Sequence, residues 1–301
     1  MSDASGIVLV DKPGGWTSHD VVARMRRIVG TKKVGHAGTL DPMATGLLII
    51  GVNKATRLLG HLAAHEKTYL ATIRLGQATN TDDAEGEVTS TPGTKSLAPS
   101  QIETALTSFR GTIAQVPSQF SAIKVNGQRA YAQARAGKEV KLAAREVTVS
   151  RFDLLRLRQA EVGRLPVIDV DVEVTCSAGT YIRALARDLG AALHTGGHLT
   201  ALRRTAIAGF DFTRPHLSPV QITNPLPPDE RLPVPLLPLA EVARSSFDFL
   251  DVDERMAKEI SYGRPVPFVV AADPTALLHA DKLLALYRPD CQRSVPVAVF
   301  L

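Results

Sequence analysis

GHAGTLDPMATGLL, residues 35–48, sets one carboxylate, Asp41, directly before Pro42 and inside a frame of three glycines, Gly35, Gly38 and Gly46. A proline disfavours the helical region for the residue before it, so the backbone of Asp41 is pushed towards an extended conformation. The glycines permit tight turns or the close approach of a ligand. An acid framed in this way is both held and accessible. A structural Asp-Pro turn looks the same over four residues; the length of the frame is what favours a functional carboxylate.

Outward from this loop the pattern mixes strands and helices. Residues 7–10 read as a buried strand, and residues 47–50 as a second one that anchors the far end of the loop. Between them Thr17 or Ser18 caps a helix in which Val21, Val22, Met25, Ile28 and Val29 recur at helical spacing, turning the arginines outward. Residues 68–75 alternate, with Tyr69, Ala71, Ile73 and Leu75 on one face. Ser100 to Glu103 has the form of a capping box ahead of Ile102, Ala105, Leu106 and Phe109. Residues 167–174 alternate Asp169, Asp171 and Glu173 against Val170, Val172 and Val174, and lead through CSAGTYIR, residues 176–183, into a helix ending near Leu193.

Residues 225–238 hold six prolines, which favours an extended, semi-rigid connector. Beyond it, strand-like runs at 266–270, 283–287 and 295–300 predict a small β-rich module. The expected organisation is therefore a large α+β domain over residues 1–240 and a module over 246–301.

Composition bounds the chemistry. The chain has 301 residues, 45% of them hydrophobic and 22% charged, as a folded core requires. Lys and Arg number 35 against 30 Asp and Glu, and the resulting +5 is too small by itself to demand a polyanionic partner. Distribution says more: Arg24, Arg26, Arg27, Lys32 and Lys33 crowd ahead of the loop, and Arg203 with Arg204 forms another pair, as a phosphate-tracking surface or a solvated basic face would.

Cys176 and Cys291 are the only cysteines, so neither a disulfide framework nor a cysteine-rich zinc site is available, and Cys176 reads as a buried structural thiol. The first apolar run, residues 7–10, is too short for a signal peptide or membrane span, and a cytoplasmic location without membrane association is expected. His194 and His198 lie four apart, but the intervening glycines argue against the helix that would align them on a metal. No GxxxxGK[ST] or GxGxxG turn occurs, so no nucleotide cofactor is implied.

In order along the chain, VDKPGGWTSHDVV (10–22), VGHAGTLDPMATGLLIIG (34–51), NKATRLL (53–59) and KTYLATIRLGQATNTDDAEG (67–86) resemble the bacterial TruB-type tRNA pseudouridine synthases. VPSQFSAIKVNGQRAYAQARAG (116–137), CSAGTYIRALARDLG (176–190) and GGHLTALRRTAIAGF (196–210) continue the resemblance. It implies a pseudouridine synthase fold, with a large central mixed sheet flanked by helices and a C-terminal PUA-like RNA-binding module. It also implies a cofactor-independent enzyme, without metal, that isomerises uridine at position 55 in the T loop of tRNA. A monomer that engages the T arm and the acceptor stem without guide RNA or protein partner is expected.

By the same resemblance Asp41 is the catalytic aspartate, Arg183 its charge partner, and Tyr69 the tyrosine that stacks on the target base and is placed to move a proton. Tyr181 and Leu202 match active-site positions, His36 the residue that fills the stacking gap left by a flipped base, and Lys12 a positioning or phosphate-binding residue. Asp83, Lys124 and Tyr131 match further positions with no role assigned. The carboxylate can act either as nucleophile or as base, and both routes stay open. Two readings from other classes are an RNA-folding chaperone on the same fold and a glycoside-processing hydrolase. The second needs a partner acid, and none stands out beside Asp41.

Overall fold

The computed structural model describes residues 4–94, 96–120, 124–125, 128–129, 142–213, 220–221 and 234–301. Tyr131 and the prolines at 225, 227, 228 and 233 lie outside these residues. The chain packs as two compact units, residues 1–65 with 206–301, and residues 66–205.

In the first unit β1 (Gly6–Lys12) runs antiparallel to β3 (Thr45–Val52), with Val10 opposite Leu48, and β2 (Val34–Ala37) pairs with β3. Helix α1 (Ser18–Val29) buries Val21, Val22, Met25 and Ile28 and packs on β2 and β3. Its start is a reciprocal cap: the Asp20 N–H donates to Thr17 Oγ1 at 3.1 Å, and the Thr17 N–H donates to the Asp20 carboxylate at 2.8 Å. The expected cap is therefore Thr17, which leaves Ser18 for another task. A 3₁₀ turn over Asn53–Arg57 leads into the short helix α2 (Leu59–Ala63).

The second unit opens on β4 (Lys67–Leu75), followed by β5 (Ala78–Thr79), β6 (Val88–Ser90), α3 (Pro99–Thr107) and β7 (Gly111–Gln115). After β8 (Lys124–Val125) and β9 (Gln128–Arg129) come a long hairpin of β10 (Arg145–Val162) and β11 (Leu165–Cys176), helix α4 (Ile182–Ala192) and β12 (Gly197–Ile207). Strand order across the unit is β12-β4-β11-β10-β7. Helix α4 packs against β4 and α3.

Alternation in β11 is answered on its neighbours. Arg74 grips Asp169 with two bonds of 2.8 Å, Arg158 grips Asp171, and Arg151 meets Glu173. Helix α3 corrects the expected capping box. Its first residue is Pro99, whose fixed φ suits that position, and the Ala98 N–H donates to the Gln101 side chain, while Glu103 pairs with Arg110.

The remaining elements belong to the first unit: β13 (Phe210–Asp211), β14 (Val220–Gln221), α5 (Leu239–Ser246), β15 (Asp248–Asp251), α6 (Glu254–Ser261), β16 (Thr275–His279), β17 (Lys282–Asp290) and β18 (Arg293–Val299). β14 adds to β1 in parallel, and β15 to β18 form a four-stranded sheet with a parallel β15-β16 pair. Residues 266–270 are not the strand their apolar run suggests. Pro265 and Pro267 lack the N–H a ladder needs, and only Val266 makes a bridge, to Ser294.

One face of this C-terminal sheet does not form a core of its own. Ala276, Leu278, Leu283, Leu286 and Phe300 are buried in a single cluster with Ile7, Leu9, Leu47, Ile49, Leu58 and Phe210. The opposite face covers a smaller cluster of Ile260, Val266, Val270, Leu277 and Tyr287. Strands of both orientations with helices laid on them make the α+β class expected from the sequence.

Candidate active site

Asp41 sits half-buried in the connection between β2 and β3, where Gly38 and Gly46 hold φ of 73° and 101°. Those values favour glycine, so two of the three framing glycines are required by the path of the chain. Three neighbours pin the loop. Ser18 Oγ donates to the Leu40 carbonyl at 3.2 Å and accepts from the Leu40 N–H at 2.9 Å. The Gly15 N–H donates to the Pro42 carbonyl at 2.8 Å, and the Ala44 N–H closes a turn on the Asp41 carbonyl at 3.1 Å.

Lys12 completes the clamp. Its side chain is fully buried, and the ammonium donates to the carbonyls of Trp16 at 2.6 Å, Pro13 at 2.9 Å and Pro42 at 3.2 Å. A buried ammonium is tolerated because carbonyl oxygens replace its water. The three carbonyls draw the charge onto the backbone around the loop. His36, on β2, meets the ring of His19 edge-on, with centroids 5.5 Å apart. His19 is exposed at the start of α1, a neighbour of His36 that the sequence reading missed.

In the second unit, Tyr69 on β4 is buried and hydrogen-bonded to Arg204 on β12. A guanidinium only donates, so the phenolic oxygen accepts here and its own proton points elsewhere. Arg204 has no exposed surface, and burial pushes its guanidinium below the ordinary arginine value, with the Tyr69 contact opposing that shift. The expectation that Arg203 and Arg204 form one surface pair is corrected. Alternation along β12 puts Arg204 on the buried face with Leu202, and only Arg203 is partly exposed.

Lys67, two residues before Tyr69, is also buried, and desolvation together with the Arg204 charge pushes its ammonium down to about 8. Burial pushes the Cys176 thiol up to about 11, which leaves no thiolate at neutral pH.

Arg183 stands in the first turn of α4, 5% exposed. Its guanidinium donates to the carbonyls of Thr81 and Phe120, each at 3.0 Å, and lies 3.6 Å from Asp83. Asp83 is itself fixed by the Thr81 hydroxyl at 2.5 Å and the Glu85 N–H at 3.1 Å. Tyr181 is the N-cap residue of α4. The Gln115 side chain holds its backbone twice, accepting from the Tyr181 N–H at 2.9 Å and donating to its carbonyl at 3.1 Å.

The sequence-predicted residues thus fall into two sets, Lys12, His36 and Asp41 in the first unit and Tyr69, Tyr181, Arg183 and Leu202 in the second. His198 is taken up by the Gln77 carbonyl at 2.9 Å, and no group of three metal-binding side chains occurs among the described residues. No helix among them is long and apolar enough to cross a membrane.

Residues 26–182 match the family described as TruB family pseudouridylate synthase (N terminal domain). The tRNA pseudouridine synthase B of Cutibacterium acnes is 52% identical over 290 residues, covering 96% of this chain and 95% of that protein. The protein of the same name from Thermobifida fusca is 48% identical over 299 residues, covering 99% of both. Among solved structures, a chain of a Cbf5-Nop10-Gar1 complex aligns with a TM-score of 0.69 at 23% identity, over 98% of this chain and 85% of that one. That likeness is one of fold.

Proposed function

The chain belongs to the TruB family of pseudouridylate synthases, and we propose that it isomerises uridine to pseudouridine at position 55 in the T loop of tRNA, with Asp41 as the catalytic carboxylate. The observation that carries the residue assignment is the clamp on residues 40–44. A buried lysine, a buried serine and two glycines with positive φ all act on the backbone around a single half-exposed acid. Such preorganisation suits a group that must meet a sugar carbon or proton at a defined distance. The reaction moves the ribose C1′ bond from uracil N1 to C5 with no redox change, so a carboxylate acting as nucleophile or base is sufficient without a cofactor.

Tyr69, its oxygen fixed by Arg204, stacks on the target base and relays a proton. Arg183, held on Asp83, supplies positive charge to the reaction. Tyr181 and Leu202 line the base pocket. His36 fills the stack from which the base has turned, and this proposed base flip costs a few kcal/mol for a stacked nucleotide. Lys12 acts through the loop it pins. Residues 1–240 carry the chemistry, and residues 246–301 are a PUA-like module contacting the acceptor stem. The enzyme works as a cytoplasmic monomer, without guide RNA or protein partner.

Asp41→Asn tests the assignment, since it keeps the shape and removes the charge. Tritium release from C5-labelled uridine in tRNA should disappear while tRNA binding stays within about threefold, a change under 1 kcal/mol. Substantial turnover by the folded Asn variant would sink the catalytic role.

A further inference from the structure

A cleft of about 840 Å³ opens in the first unit, away from the residues described above: none of Lys12, His36 or Asp41 lines it. Its walls come from the turn before β2, the 3₁₀ turn at Asn53–Arg57 and the tip of the β16-β17 hairpin. They bring together Lys33, Lys54, Arg57 and Lys282 over an apolar floor that includes Leu283 and Phe300. All four cations are exposed.

Among the described residues none of these four forms an ion pair, although Arg74, Arg110, Arg151, Arg158, Arg187, Arg244 and Arg264 all do. The one acid in the lining, Asp281, lies 3.8 Å from Arg244, outside the four. Arg57 is held in place by a 2.6 Å bond to the Val299 carbonyl. Four like charges converging on one concavity repel each other unless a polyanion occupies it, and concave walls concentrate their field.

We propose that this cleft binds the phosphodiester backbone of the substrate RNA, outside the reacting nucleotide, with Lys33, Lys54, Arg57 and Lys282 as the phosphate contacts. The proposal rests on the reading of the chain as an enzyme acting on RNA. An extended run of phosphates fits better than a single anion, because the cations stand on three separate elements and each is exposed enough to reach a different phosphate.

The test is the salt dependence of binding between the full chain and unmodified tRNA. Each neutralised phosphate contributes roughly 0.7–0.9 to the slope of log affinity against log salt. The triple variant Lys33→Gln, Lys54→Gln, Lys282→Gln should therefore flatten the slope by about 2. A charge-matched control, Arg145→Gln, Arg156→Gln, Arg164→Gln, removes three exposed cations outside both the cleft and the C-terminal module and should leave the slope near the parent value. An unchanged slope in the cleft variant would overturn the proposal and point to another polyanion, such as an acidic protein surface. An equal flattening in the control would overturn it too, since net charge and not the cleft would then be at work. Pseudouridine formation by the parent on an isolated T-arm stem-loop is measured in parallel. If that fails while the cleft variant still loses slope, the isomerase reading falls and the RNA site stands.

Discussion

Around Asp41 the energetics are those of buried backbone groups kept satisfied. Ser18 Oγ serves both the N–H and the carbonyl of Leu40 in a site closed to water. Its removal leaves two orphans beside the catalytic candidate, and an unsatisfied buried group costs about 1–3 kcal/mol. Ser18→Ala should lower stability by about that amount in urea unfolding and slow single-turnover isomerisation by about tenfold, with tRNA affinity held. An unchanged rate would show that the loop keeps its shape without this pin. The loop itself was legible, because Asp-Pro and the glycines are local signals. Its supports were not: Ser18 acts across 22 positions, Arg183 on Thr81 across 102, and Gln115 on Tyr181 across 66, separations that leave no sequence periodicity.

Lys67 gives a residue-scale prediction in pH. Burial, with Arg204 adding to it, brings its ammonium to about 8 in the fold, against an ordinary 10.5 when unfolded. Below 8 both states hold the proton and the folded state carries the whole cost of the buried charge. Between 8 and 10.5 the unfolded state keeps a proton that the folded state has shed, so this group makes stability rise with pH. Lys67→Met should therefore be more stable than the parent at pH 7, with an advantage that shrinks across that window. Urea midpoints of both proteins from pH 7 to 10.5 check this, and a gap independent of pH would contradict it.

At the scale of elements, periodicity located β1, α1, β3, β4 and β11 because each has one wet and one dry side, or none wet. It failed where proline removes a donor, at residues 266–270, and it missed two short helices, α5 at the junction between the proline-rich connector and the module and α6 in the region read as β. What positions α4, and Arg183 with it, is close backbone contact. A Cβ on Gly190 would lie 2.3 Å from Gly196 C and Gly197 N. Backbone cannot rotate away, so Gly190→Ala should cost about 3 kcal/mol or more, at the upper end of overpacking. Gly60→Ala is the contrast. It lies in α2 with nothing within 4 Å, and should stabilise by about 0.4–1 kcal/mol through the unfolded chain. Thermal midpoints of the two variants moving in the same direction would refute the packing argument.

Across the whole molecule, the least legible property is which parts fold together. The proline-rich stretch suggests a detachable C-terminal module that could be cut away and leave a working enzyme. In the structure Leu278, Leu283, Leu286 and Phe300 share one buried cluster with Ile7, Leu9, Leu47 and Ile49, and Leu237 pairs with Ile7 through two backbone bonds of 2.8 and 3.0 Å. Each fully buried Leu, Ile or Phe contributes about 1.5–3 kcal/mol. Losing the C-terminal partners of this cluster exposes the faces of β1 and β3 that carry Ile7, Leu9, Leu47 and Ile49, about 6–12 kcal/mol of burial against the 5–15 kcal/mol by which domains are usually stable. A chain ending at residue 245 should therefore aggregate or unfold without cooperativity, and it should not modify an isolated T-arm stem-loop. Gel filtration, urea unfolding and stem-loop turnover of the truncated chain decide this. A monomer with one sharp transition and parental turnover would mean that residues 1–65 close their core alone, and that residues 246–301 serve RNA binding without supporting the fold.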